Sequence, residues 1–213
     1  MLLPYKDINP TKRFALITFL IIVANVYIFL DQYVTDLGFP YGVRDLALIP
    51  VELLKGNLPG SEATSPVSGL VTSVFVHGGF KHLAFNMLFL WIFGNNVEDM
   101  MTRPRFLLFY LVIGVISSLS FAVTNPGSEI SLVGASGSIS GIIGAYLFLF
   151  PKARVHALFF IIPIRMPAIV FIVIWFFGQI SGFLGGGGNV AWICHISGFI
   201  AGILLFRFFL RRS

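Results

Sequence analysis

Four polar side chains with the chemistry of a nucleophilic hydrolase lie in otherwise apolar stretches of this sequence: His82, Asn86, Ser136 and His195. A serine hydroxyl is a weak nucleophile until a base removes its proton, and histidine, with an ordinary pKa of about 6.5, is the natural base. His82 and Asn86 are spaced i, i+4 and therefore share one face of a helix. Because polar groups inside apolar helices are costly, these residues are candidates for a functional site.

The residues around Ser136 favour attack on a peptide carbonyl. The stretch Gly134-Ala135-Ser136-Gly137 lies where a loop becomes a helix. Its glycines remove side-chain bulk, so a substrate backbone can approach the hydroxyl. The helix N-terminus directs free N–H groups toward an oxyanion formed there. The Ser136 backbone N–H, the Asn86 amide and the His82 ring are therefore candidate oxyanion donors.

The candidate base has no acidic partner in the sequence around it. No Asp or Glu lies near His195 or in its apolar run, so the pattern predicts a Ser-His dyad rather than a Ser-His-Asp triad. The imidazole then needs another restraint, such as the packing of a ring. Gln179, in the preceding apolar run, is interpreted as a helix-contact residue or as one that faces a substrate.

The composition predicts that lipid is the main solvent of the chain. Of the 213 residues, 57% are hydrophobic and 11% are charged, and the mean hydropathy is +0.92. A soluble domain carries about 25% charged residues. The net charge of +5 is spread in short basic groups between apolar runs, which does not fit a nucleic-acid-binding patch. The single cysteine, Cys194, excludes an intramolecular disulfide.

Six apolar runs predict an all-α, polytopic membrane protein with one domain over residues 1–213. A tail (1–13) precedes the first helix, and a long external loop (31–73) follows it, with a partly helical interfacial segment inside. The fourth run is short, so its helix is expected to begin below the membrane surface. A glycine run, Gly185–Gly188, is interpreted as a flexible connection, with the hypothesis that it acts as a cap that moves when substrate enters. The predicted helices cover residues 14–30, 79–97, 106–123, 136–150, 166–184 and 190–210.

The basic residues predict the orientation of these helices. With six spans, eleven of the fourteen Lys and Arg residues fall on the side that holds both termini, which is therefore expected to be cytoplasmic. The four polar candidates then lie near the non-cytoplasmic ends of their helices, at a shared depth. Two small-residue pairs, Gly137 with Gly141 and Gly198 with Gly202, predict close packing of the fourth and sixth helices. That packing is expected to bring Ser136 within hydrogen-bond reach of His195.

Three segments in order resemble the rhomboid family of intramembrane proteases. They are TSVFVHGGFKHLAFNMLFLWIFGNNVED, GASGSISGIIGAY and AWICHISGFIAG, within a resemblance that covers roughly Pro50 to Gly202. The resemblance implies a six-helix rhomboid-like bundle that cleaves single-span membrane proteins near their non-cytoplasmic boundary, without a cofactor or metal. It implies Ser136 as the nucleophile, His195 as the base, and His82 and Asn86 as oxyanion donors, with His77 as a neighbouring polar group.

Two positions depart from the family pattern. An aromatic residue often follows the serine by four positions and stacks near the histidine, whereas here that position is Ser140. After Glu98 the chain continues with Asp99-Met100, so the arginine with which some members anchor the neighbouring loop is missing there.

Other functions fit the residues less well. The sequence lacks the H-E-x-x-H motif of a metal-dependent protease and the two acids within spans that an aspartyl protease needs. It also lacks the internal repeat that is typical of a transporter. The alternative that stays open is a catalytically silent relative that binds transmembrane helices as an adaptor. The expected partners are transmembrane protein substrates and the lipid bilayer, with no nucleic acid or metal. The expected location is a bacterial cytoplasmic membrane.

Overall fold

The computed structural model describes residues 2–35, 42–56, 65–185 and 191–211. Parts of the long external loop, at 36–41 and 57–64, lie outside these ranges. The predicted moving cap also lies outside them from Gly186 onward.

Helices make up most of the described chain. The first is α1 (Leu16–Leu30), which continues as a π-helical turn over Asp31–Thr35. Three short helices follow in the external segment: α2 (Val43–Leu46), α3 (Pro50–Lys55) and α4 (Gly69–Thr72). The remaining helices are α5 (Phe80–Phe89), α6 (Asn95–Met100), α7 (Arg103–Thr124), α8 (Ser136–Leu149), α9 (Ala168–Leu184) and α10 (Trp192–Phe209).

Among the described residues, three helical segments are long and apolar enough to cross a membrane: Leu16–Tyr33, Arg103–Thr124 and Trp192–Phe209. Two shorter apolar helices, α8 and α9, lie with them. A helix needs roughly 20 residues to cross the hydrocarbon core unaided, and α8 has 14. The start of this helix below the membrane surface stays a prediction. The chain is an integral membrane protein, while the count of six spans and the orientation of the termini stay predictions.

The second predicted helix is interrupted. A π-helical turn over Leu90–Gly94 joins α5 to α6, and the helical path ends at Met100 rather than at residue 97. Gly94 allows α1 to approach here, because an added Cβ would lie 3.3 Å from the Thr18 side chain. Glu98 then accepts hydrogen bonds from the Thr18 N–H (2.8 Å) and hydroxyl (2.9 Å), which fastens the two helices.

The all-α prediction is wrong in one region, where an antiparallel sheet has the order β1-β2-β3. Its strands are β1 (Leu2–Ile8), β2 (Arg154–Phe159) and β3 (Ile162–Pro167). β2 and β3 form a hairpin between α8 and α9, and β1, which lies in the predicted N-terminal tail, pairs with the free edge of β2. α9 therefore begins at Ala168 rather than at residue 166. Alternation explains the strands, since Val155 and Ala157 are fully buried while Arg154 is exposed.

The external segment supports the loop that precedes Ser136. Leu48 forms an antiparallel bridge with Leu132, with N–H···O distances of 3.0 and 2.8 Å. Nearby, the Val51 N–H donates to the Ser128 carbonyl at 3.1 Å. The Gly134 N–H donates to the Ser73 carbonyl at 2.9 Å. Backbone hydrogen bonds therefore hold both sides of this loop before α8 begins.

The helices α8 and α10 pack closely along small residues. A Cβ at Gly198 would overlap the Gly137 carbonyl oxygen, and a Cβ at Gly202 would overlap the Gly141 carbonyl oxygen. A Cβ at Gly141 would lie 3.0 Å from the Gly198 carbonyl oxygen, so this contact is close in the other direction as well. Small residues allow such backbone approach, and dispersion contacts then stabilise the pair without a hydrophobic driving force. This packing sets the separation between the first turns of both helices.

Candidate active site

Ser136 and His195 are in contact across the α8–α10 interface. Ser136 Oγ lies 2.8 Å from His195 Nε2. Ser136 is the first residue of α8, and His195 lies in the first turn of α10, so two helix starts meet at this point. Both side chains are partly exposed, which leaves the hydroxyl accessible. The distance is that of a normal hydrogen bond and allows direct proton transfer between the two atoms.

Gln179 holds the other ring nitrogen of His195. Its Oε1 lies 2.7 Å from His195 Nδ1, while its own Nε2 donates to the Trp175 carbonyl at 3.1 Å. The bond to Trp175 uses the amide NH₂ and leaves the amide oxygen for the imidazole. Since that oxygen only accepts, Nδ1 carries the proton and Nε2 presents its lone pair to Ser136. The sequence analysis interpreted Gln179 as a helix-contact or substrate-facing residue and missed its hydrogen bond to His195, because nothing in a 16-residue separation indicates it.

An aromatic ring also lies near His195, although Ser140 occupies the position at which the rhomboid pattern often has an aromatic residue. The Trp192 ring meets the imidazole edge-on, with centroids 6.0 Å apart and planes at 87°. Ser140 instead donates to the Ser136 carbonyl at 2.6 Å and reinforces the first turn of α8. Trp192 precedes His195 by three residues in α10, and side chains at this spacing are neighbours on a helix surface. The spacing alone could therefore have indicated that Trp192 lies beside the imidazole.

Gly134 provides the space for His82. Its φ is +123°, in the region that favours glycine, and a Cβ there would lie 2.7 Å from His82 Cε1 and Nε2. The imidazole of α5 therefore rests on the backbone that leads into α8. Gly137 has a different neighbour, since its absent side chain leaves room for Ser117 of α7. Both glycines flank the serine, and each admits one side chain.

Asn86 and His77 carry buried polar atoms that the described part of the chain leaves without a hydrogen-bond partner. Asn86 Nδ2 and both ring nitrogens of His77 have no hydrogen-bond partner among the described residues. Asn86 is 6% exposed and lies one helical turn beyond His82 in α5. Unpaired buried donors are rare, and an amide N–H₂ that lines a cavity is available to an incoming oxygen. The His77 ring packs edge-on against the His82 ring, with centroids 5.0 Å apart, and so supports that ring.

A cavity of about 780 Å³ joins these groups. That volume lies within the range typical of ligand sites. Apolar side chains of α5 and α9, including Phe85, Phe89 and Trp175, form part of its wall. The polar groups that face it include His82, Asn86, Ser136, Gln179 and His195. Within the described ranges, no three His, Cys, Asp or Glu residues cluster as metal ligands.

The helical bundle and this cavity define a class: integral membrane proteins with a Ser-His pair enclosed among apolar helices. A family model of the rhomboid domain matches residues 64–212 of the chain. The chain belongs to the rhomboid family.

Three relatives illustrate the similarity. The putative rhomboid protease YdcA of Bacillus subtilis is 41% identical over 80 residues, which cover 38% of this chain and 40% of the relative. The rhomboid protease GluP of the same organism is 38% identical over 133 residues, 62% of this chain and 24% of GluP. Rhomboid protein 1, mitochondrial, of Saccharomyces cerevisiae is 31% identical over 146 residues, 66% of this chain and 41% of the relative. The chain thus spans less than half the length of these curated relatives.

Proposed function

We propose that this protein is an intramembrane serine endopeptidase that uses a Ser-His dyad to cleave single-span membrane proteins. The observation that carries the proposal is the 2.8 Å contact between Ser136 Oγ and His195 Nε2 inside an apolar bundle. Rhomboid membership and the protease names of YdcA and GluP support the same reaction class. Cleavage occurs near the non-cytoplasmic boundary, in a six-span protein whose termini are both cytoplasmic in a bacterial membrane.

Attack begins with Ser136. As its Oγ bonds to the scissile carbonyl carbon, the hydroxyl proton moves to His195 Nε2 over the existing hydrogen bond. The imidazolium that forms donates through Nδ1 to the Gln179 amide oxygen. Gln179 is neutral, so it orients the ring and stabilises the cation through its dipole rather than through a full charge.

The oxyanion of the tetrahedral intermediate lies among preorganised donors. Asn86 Nδ2 has no partner among the described residues, and the first N–H groups of α8 have no intrahelical acceptors. The His82 ring, seated on Gly134, adds a third donor. Donors fixed in a site of low dielectric stabilise developing charge strongly, and loss of one costs about 10²–10³ in rate.

In the remaining steps His195 acts first as the general acid and then again as the general base. His195 returns its proton to the leaving amine, so the peptide C–N bond breaks and an acyl-enzyme on Ser136 remains. Water enters the cavity, loses a proton to His195 and attacks the ester carbonyl. Collapse of the second intermediate releases the new carboxylate and restores the serine hydroxyl, with no cofactor consumed.

The position of the site indicates the kind of substrate. The cavity wall combines apolar side chains of α5 and α9, which suit an apolar segment arriving from lipid. A peptide bond within a helix is shielded by its own turn, so the scissile segment must become extended before Ser136 can reach it. Transmembrane segments that unwind easily, through glycine or proline near the cut, are therefore the best substrates.

The experiment is a comparison of purified variants with a serine-reactive fluorophosphonate and a panel of single-span proteins. Ser136→Ala should lose both labelling and cleavage, and His195→Ala should lose cleavage by at least about 10³-fold. Ser120→Ala is the matched control, because this serine bonds to the Ile116 carbonyl in α7 and does not line the cavity. Labelling that persists in Ser136→Ala assigns the nucleophile elsewhere. A folded parent that neither labels nor cleaves favours the adaptor alternative.

A further inference from the structure

The turn between β2 and β3 presents large apolar side chains away from the protein. Phe160 and Ile161 form the turn and are 70% and 88% exposed, and the flanking Phe159 and Ile162 are at least half exposed. The strands behind them are different, because Val155 and Ala157 are fully buried against the helices. The sheet therefore packs on the protein near its base and extends an apolar tip beyond it.

The turn holds these side chains against local preference. Phe160 has φ +55°, in the left-handed region, and two-residue hairpin turns normally place Gly, Asn or Asp at such positions. A bulky aromatic residue there is a strained choice, and strain of this kind concentrates at functional features. The residue types at the tip therefore match an apolar environment better than they match the turn.

A row of basic residues crosses the outward face of the same sheet. Lys6 pairs with His156, and His156 pairs with Arg165, so the three side chains share one face. Neighbouring strands are about 4.8 Å apart, so the row spans about 10 Å. Arg154 lies two residues before His156 and adds a third permanent cation to this face. Lys6, Arg154 and Arg165 are all exposed.

None of these cations forms an ion pair with a carboxylate of the part of the chain that the structure describes. Within the described ranges, the ion pairs are Arg13 with Asp99 and Arg44 with Glu52, neither of which involves the sheet. The nearest acid in sequence, Asp7, accepts instead from Tyr146 Oη (2.9 Å) and Asn96 Nδ2 (2.7 Å), toward the helices. The outward face of the sheet is left with net positive charge available to an anion.

We propose that this sheet is a binding site for anionic phospholipid. The Phe160–Ile161 turn enters the acyl region of the leaflet, and Lys6, Arg154 and Arg165 bind the headgroup phosphates. Phe160 lies four residues after His156, at a distance of about 13 Å of extended chain. That length lets the cations lie among the headgroups, while the turn reaches past them into hydrocarbon.

Lipid, rather than another protein, is the occupant that the neighbouring residues favour. α9 begins directly after β3, and its Ile169, Val170 and Val173 are exposed large apolar residues on a helix of a membrane protein. Basic residues beside an apolar anchor are the usual combination for binding an anionic leaflet.

The test uses the full-length protein in nanodiscs that contain either dioleoyl phosphatidylcholine alone or a mixture with dioleoyl phosphatidylglycerol. Bound phosphatidylglycerol is counted by native mass spectrometry after release from the mixed discs. Each basic residue near an anionic surface contributes about fivefold in affinity, so Lys6→Gln with Arg165→Gln should lose at least about tenfold in phosphatidylglycerol preference. The matched control, Lys55→Gln with Lys81→Gln, removes the same charge from exposed sites outside the sheet and should retain the preference.

A second measurement follows the turn itself. An environment-sensitive dye on Ile161→Cys should show a blue-shifted emission in nanodiscs and quenching by brominated acyl chains. The native Cys194 is only 4% exposed and should react little with the dye. The parent protein, treated in the same way, measures this background labelling. Equal phosphatidylglycerol binding by both double variants overturns the proposal. The proposal is also overturned if the dye at residue 161 shows the emission of a water-exposed dye in nanodiscs and is not quenched by brominated acyl chains.

Discussion

Gln179 Oε1 lies 2.7 Å from His195 Nδ1, in the place that an acidic residue takes in a Ser-His-Asp triad. The amide accepts the same hydrogen bond without adding a charge to a region surrounded by apolar helices. An ionised carboxylate there would need compensation for its desolvation, which a neutral amide does not. A dyad with a neutral orienting residue therefore suits a membrane interior.

The first prediction concerns this bond. Gln179→Leu should lower kcat by about tenfold, the worth of one well-placed hydrogen bond, and leave KM nearly unchanged. Gln179→Glu keeps an acceptor at Nδ1 and should retain more activity than Gln179→Leu. Ser181→Ala, an exposed position on the same helix, is the control. A loss in Gln179→Leu that appears in KM instead would reassign the residue to substrate binding.

The second prediction tests the space beneath His82. Gly134→Ala should place a methyl group 2.7 Å from the imidazole and also strain a backbone with φ +123°. We expect a loss of about 1–3 kcal/mol in the free energy of unfolding, together with a fall in kcat. Gly127→Ala is the matched control, because no atom lies within 4 Å of its added Cβ. Thermal unfolding and cleavage of both variants should separate the two positions.

A third prediction addresses the α8–α10 interface. Gly202→Ala must push the helices apart, because its Cβ overlaps the Gly141 backbone, and overpacking of this kind costs about 1–3 kcal/mol. Activity should fall with stability, since the same interface sets the distance between Ser136 and His195. Gly178→Ala in α9 meets no atom within 4 Å and should behave like the parent. Parent-like stability in Gly202→Ala would contradict the observed packing.

Asn86 is the subject of the fourth prediction. Asn86→Ala removes a buried donor that bonds to no residue in the described ranges, so folding should be little affected while kcat falls by about 10²–10³. Labelling by the fluorophosphonate should weaken as well, because the phosphonyl oxygen uses the same donors. Cleavage should be followed at saturating substrate to isolate kcat. An unchanged kcat would leave Asn86 a helix-contact residue.

The fifth prediction follows from Asp7 of β1, outside the membrane-spanning helices. Burial raises the pKa of Asp7 above its usual 3.8, although hydrogen bonds from Tyr146 and Asn96 oppose the change. The folded state thus holds the Asp7 proton more tightly than the unfolded state, and stability falls as pH rises between the two pKa values. Asp7→Asn keeps an acceptor without the charge, so it should raise the melting temperature at pH 7.

The advantage of Asp7→Asn should shrink as pH is lowered through the raised pKa, because the parent carboxyl then becomes neutral as well. Glu129→Gln removes one exposed negative charge and serves as the control for net charge. A melting-temperature difference that stays constant from pH 8 to the acid end of the folded range would contradict the assignment to Asp7 ionisation.

Much of the bundle could be predicted from hydropathy alone. The predicted helix at 106–123 is observed as Arg103–Thr124, and the one at 136–150 as Ser136–Leu149, because long apolar runs leave few alternatives in lipid. The sheet could not be predicted in the same way. β1 and β2 are about 150 residues apart in sequence, so the pairing that covers one edge of the β2–β3 hairpin is not encoded in any local pattern.

The amino-acid sequence by itself determined the apolar runs, the small residues at helix contacts and the polar groups within them, since lipid and close packing restrict residue types strongly. It also indicated Ser136 and His195 as partners through motif order. Only the tertiary structure decided that Gln179 and Trp192 meet the imidazole, and that Gly134 seats His82. Those contacts join separate elements or depend on side-chain direction at distances of a few ångströms, which spacing along the chain does not encode.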